Sequence, residues 1–76
     1  MSLKQAIEAL EKQNWDRAHE IVQDMSDSKA AWLHGILHMI EGDENNARYW
    51  YARAGRTFPG KDKVSQEIEA IKKTES

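Results

Sequence analysis

No cysteine occurs in the 76 residues, so the chain has neither a disulfide framework nor thiolate chemistry. Proline occurs once, at Pro59, and β-branched runs are missing, which removes the usual helix breakers and the usual strand builders. A large excess of one charge is missing too: 11 basic and 13 acidic residues give a formal net charge of −2. That balance argues against a partner bound by phosphate neutralisation, so no nucleic acid is expected. Long apolar runs are also wanting. The longest, from Ala30 to Ile40, is interrupted by His34, Gly35 and His38 and is too short to cross a bilayer. The opening Met-Ser-Leu-Lys-Gln has no apolar stretch of the secretion-signal kind. A cytoplasmic protein without membrane association is expected.

What is present suits one small domain. At this length burial and chain entropy nearly cancel, so a stability of a few kcal/mol is expected, and a partner or self-association would matter. The charge is uneven: residues 1–28 hold three basic and six acidic side chains, whereas Arg48, Arg53, Arg56, Lys61 and Lys63 surround a single acid, Asp62. A solvated helix face accounts for that cluster, and an acidic partner is the functional alternative.

Apolar spacing predicts five helices. Ser2 to Gln13 opens on Ser-Leu-Lys-Gln, a capping box, and carries Leu3, Ile7 and Leu10 at helical intervals. Asn14 caps a second helix with Trp15, Ala18, Val22 and Met25 on one face. Asp27 or Ser28 caps the third, Gly42 stops it, and Asp43 caps a fourth that runs to about Gly55. Phe58-Pro59-Gly60 reads as a turn, and a fifth helix over 62–73 presents Val64, Ile68 and Ile71 on a narrow stripe. Short gaps make neighbouring helices antiparallel. The fold class is all-α, built from antiparallel helical hairpins.

Gly35, Gly42, Ala47, Tyr51, Ala54 and Pro59 follow one another in the order and spacing of a tetratricopeptide repeat, and residues 28–61 resemble one such unit. Small residues at Gly35, Ala31, Ala47 and Ala54 would let the two helices approach closely. Residues 2–26 look like a degenerate copy: Ala6, Ile7, Ala18 and Val22 stand 29 positions before Gly35, Ile36, Ala47 and Tyr51. The resemblance implies an α-α superhelix of about two units closed by a capping helix over 62–73. The string from His34 through His38, Glu41-Gly42-Asp43 and Asn46-Ala47 to Tyr49-Trp50-Tyr51 also resembles a motif of small bacterial proteins of this type. His34 stands where the repeat usually has leucine, and His38 where it has a large aromatic residue.

The third helix is apolar on two sides, one with Leu33, Leu37 and Ile40, the other with Trp32, Ile36 and Met39. By resemblance the second side faces the concave groove of the repeat. Between them run His34, His38 and Glu41 at i, i+4 and i+7. Two histidines one turn apart can share a metal ion, with Glu41 or His19 completing a set. The plainer reading gives His38 a hydrogen bond to Asn46, Tyr49 or a backbone carbonyl. The spacing lacks the glutamate of zinc-protease helices, because Gly35 occupies that position, and no activated nucleophile is evident. Tyr49, Arg53 and Arg56 form a basic stripe able to clamp an anion or simply to pair on the surface. The acids around Gly42 do not follow a calcium loop.

The leading expectation is a non-enzymatic interaction module without a cofactor. It would bind a peptide, a partner helix or a second copy of the chain through Trp32, Ile36 and Met39, with Lys29 and Ile7 at the rim. The alternative is a metal- or small-ligand-binding protein built on His34, His38 and Glu41, with His19, Asn46 and Arg53 nearby and a cavity between the third and fourth helices.

Overall fold

Ser2 starts the first helix with the capping box its sequence predicts: the hydroxyl accepts from the Gln5 amide at 3.3 Å, and the Gln5 side chain accepts from the Ser2 amide at 3.0 Å. In the computed structural model, which describes residues 2–74, five α-helices follow: α1 (Leu3–Glu11), α2 (Trp15–Gln23), α3 (Ser28–Ile40), α4 (Glu44–Arg53) and α5 (Val64–Lys73). A 3-10 turn, Lys61–Lys63, leads into α5, and the described residues contain no strand. The protein is all-α. No helix is long and apolar enough to cross a membrane among the described residues.

Three of these helices end in the same way. α1 stops at Glu11, short of the expected Gln13, because Gln13 takes a left-handed conformation with φ 61°. The Asn14 amide then donates to the Ala9 carbonyl at 2.8 Å and the Gln13 amide to Leu10 at 3.0 Å, satisfying two carbonyls of the last turn. α3 ends at Gly42 (φ 81°), with Asp43 donating to His38 at 2.9 Å. α4 ends before Gly55 (φ 72°), with Arg56 donating to Tyr51 at 3.0 Å. After the first two turns Asn14 and Asp43 cap the next helix, accepting from the Arg17 and Asn46 amides at 3.4 and 3.3 Å. Gln13-Asn14 thus stands 29 positions before Gly42-Asp43, the interval that also relates Ala6, Ile7, Ala18 and Val22 to Gly35, Ile36, Ala47 and Tyr51. All eight of those residues are buried.

α3 touches each of the other four α-helices, so it has no face left for water along most of its length. Its closest neighbour is α4, which a three-residue connection folds back beside it. Gly35 makes this approach possible. A methyl group there would lie 2.6 Å from Cδ1 of the fully buried Tyr51 ring and 3.3 Å from the Ala47 carbonyl oxygen.

α5 closes the other side of α3. Ile71 is fully buried, and Val64 and Ile68 pack on the core from the same stripe. Glu67, between them, accepts from the Trp32 indole at 3.0 Å and from the Tyr51 hydroxyl at 2.7 Å through one carboxylate oxygen. Burial, together with this carboxylate, raises the Tyr51 hydroxyl far above its ordinary pKa, so it remains a donor. Replacing Glu67 by alanine would leave two largely buried donors unpaired, a loss of about 1–2 kcal/mol. Glu67→Gln keeps an acceptor and is expected to lose less than half as much. Urea unfolding of the two variants checks this; equal losses would assign the effect to packing.

Candidate functional site

The polar stripe of α3 meets α2. His34 and His38 face each other as stacked rings with centroids 5.0 Å apart, as one helical turn requires. His19 from α2 comes edge-on to both, at 4.6 Å from His34 and 5.8 Å from His38. One ligating atom from each of the three imidazoles lies within 4.8 Å of the others. Nitrogens around a tetrahedral zinc ion stand about 3.4 Å apart, given bonds of about 2.05 Å, so the set closes when the rings approach by up to about 1.4 Å and His38 turns out of its stack on His34 to aim its in-plane lone pair at the same ion. His19 and His38 are only partly buried and have room for these movements.

The three rings have different surroundings. His34 is 4% exposed, and its far side is covered by Trp50, stacked at 3.8 Å and nearly parallel at 9°. Its Nδ1 is buried without a hydrogen-bond partner among the described residues. Burial first, then the neighbouring His19 and His38, push its pKa from 6.5 down to about 4, so the ring is neutral at physiological pH. Neutral imidazole is the form that binds a metal ion. His38 has its Nδ1 at 2.6 Å from Glu41 Oε1. With Nδ1–H donating to that carboxylate, Nε2 keeps its lone pair, and the carboxylate orients the ring. The donor set fits an ion that favours nitrogen, such as zinc, copper or nickel.

Beside His19 lies a cavity of about 290 Å³, lined by Trp15, Asp16 and His19 from α2, Leu37 and Ile40 from α3, and Glu41. The sequence led us to expect a cavity between the third and fourth helices; this one opens between the second and third. Trp50 occupies the other side, where the small side chain of Ala47 and the absence of one at Gly35 bring α4 too close to leave space.

The remaining sequence candidates are dispersed. Asn46 donates to Asp43 at 2.6 Å from its side chain as well as from its backbone, which holds the Asp43 carboxyl below the usual range. His38 therefore takes Glu41, and neither Asn46 nor Tyr49, as its partner. Arg53 donates to the Tyr49 hydroxyl at 3.1 Å and lies over the Trp50 ring, whereas Arg56 stacks on Trp32 at 3.6 Å, so the expected arginine stripe is divided. Asp43 forms a second possible ligand group with His38 and Glu41, but capping already engages it. Trp32, Ile36 and Met39, expected at a groove, are 4%, 0% and 5% exposed beneath α5 and within the core. Ile7 is also buried, and only Lys29 of that set is exposed.

Sequence reasoning missed Trp50 as the ring beneath His34. It also missed Glu67, which no spacing connects to Trp32 and Tyr51. Compared with known proteins, the chain matches no family model, no curated protein and no solved structure.

Proposed function

We propose that the protein is a helical module that binds one divalent transition-metal ion through His19, His34 and His38. Glu41 orients His38, and Trp50 fixes His34. The observation that supports this reading is the convergence of three imidazoles from two helices, one of them buried with an unpartnered nitrogen. A buried polar ring without a hydrogen bond costs stability, and a metal bond would offset that cost. The hairpins that bring the rings together are read as tetratricopeptide-like units.

Calorimetric titration with zinc, nickel and copper at pH 7.5 is the direct test. One-to-one binding is expected. Loss of any of the three imidazoles should weaken it by about 100-fold, because each supplies a third of the protein donors. Glu41→Gln should weaken it by about tenfold, as is usual for a carboxylate behind a ligating histidine. Binding that survives the triple histidine-to-alanine variant would refute the assignment.

The interaction reading has support at a different surface from the one expected. A groove of about 400 Å³ between α1 and α5 carries Ile7 at its base and charges of both signs, including Lys4, Glu8, Glu11, Glu69 and Lys72. Light scattering over a concentration series tests whether a second copy of the chain occupies it.

A further inference from the structure

Resting on the metal reading above, we infer that the ion keeps one exchangeable position, which opens onto the α2–α3 cavity and takes a small uncharged ligand with a flat apolar body and one nitrogen donor. Among the described residues no carboxylate completes the trio: Asp16, in the cavity wall, is not among the ligating atoms that converge with it. Glu41 is engaged by His38, and Asp43 caps α4 through two bonds to Asn46. That leaves three protein ligands and a fourth position for water or substrate, the pattern of open rather than closed zinc sites.

The direction of that position follows from the packing. Stacked Trp50 closes the α4 side of His34. On the α2 side, His19 belongs to both the ligand trio and the cavity wall, and Glu41, the partner of His38, is part of the same wall. The rest of the wall determines the class of ligand. Trp15, 37% exposed, offers an aromatic face, and Leu37 and Ile40 add an apolar floor. Asp16 and Glu41 oppose anions such as azide or carboxylates. At about 290 Å³ the space falls at the small end of ligand sites, which suits a molecule of two rings or fewer.

The test uses the full chain loaded with cobalt(II), whose visible bands report coordination, and 4-phenylimidazole as the probe. A saturable one-to-one band shift is expected, with the cobalt retained by the protein after desalting. Trp15→Ala should weaken probe binding at least tenfold while cobalt affinity stays unchanged. Asp16→Asn should improve azide binding and leave 4-phenylimidazole as before. If cobalt binds through the histidines and the probe leaves its bands unchanged, or Trp15→Ala binds the probe equally well, the open position is overturned and the metal site stands. Failure of cobalt itself to bind overturns both.

Discussion

His34→Leu is expected to make the metal-free protein more stable and to weaken its metal binding by about 100-fold. The imidazole is buried against Trp50 with Nδ1 unpaired, and such a group costs about 1–3 kcal/mol. Leucine fills a similar volume without that cost, so a gain of about 1–2 kcal/mol is expected at neutral pH. The gain should grow in acid. The unfolded imidazole takes its proton near 6.5, the folded one only near 4, so between those values the unfolded chain binds more protons. His34 therefore favours the folded state least at low pH: its titration changes nothing above about 6.5 and lowers stability as pH drops towards 4. The full drop is about 3 kcal/mol, at about 1.36 kcal/mol for each pH unit, comparable with the whole stability of so small a domain. Urea midpoints of parent and variant at pH 7.5, 5.5 and 4.5 measure both effects. A variant less stable than the parent at pH 7.5, or one with the same acid dependence, would show that the imidazole is a satisfied part of the core.

Gly35→Ala is expected to be the most damaging single-methyl change in the chain. The new Cβ would stand 2.6 and 2.9 Å from two ring carbons of Tyr51 and 3.3 Å from the Ala47 carbonyl oxygen. Tyr51 cannot swing aside, since it is fully buried, bonded to Glu67 and in edge contact with Phe58. The α3–α4 pair must spread instead. Overpacking of this kind costs about 1–3 kcal/mol, and the intrinsic helix preference for alanine returns about 1 kcal/mol. A net loss of about 1 kcal/mol should lower Tm by about 4–8 °C in a domain of this size. Thermal unfolding followed by circular dichroism reads it directly. An unchanged or raised Tm would mean that α3 and α4 are not in the contact described.

Much of this architecture is legible in the chain because its punctuation is local. Ser2 with Gln5, Asn14, Gly42 with Asp43, and Gly55 act within a few residues of themselves, and each ends or starts a helix at or within two residues of the expected place. Gln13 shows the limit. It performs the task of Gly42 with a side chain that rarely takes positive φ, so no residue type announced the end of α1. The faces of α3 show another. Periodicity identified both apolar sides correctly, but whether Trp32 and Met39 meet a partner or α5 depends on how the irregular stretch after Gly55 returns the chain. The site lies between these cases. His34 and His38 share a face by spacing alone, whereas the arrival of His19 and Trp50 depends on how α2 and α4 cross α3. Tyr49, Trp50 and Tyr51 point in three directions, and sequence cannot choose which of them lies beneath an imidazole.

Zinc-edge X-ray absorption of the chain loaded with one equivalent of zinc at pH 7.5 tests the metal assignment most directly. Three imidazole nitrogens and one further oxygen or nitrogen scatterer at about 2.0–2.1 Å are expected, with one imidazole contribution lost on changing His19 to alanine. A spectrum dominated by oxygen ligands, or one that the His19 change leaves untouched, would contradict the account.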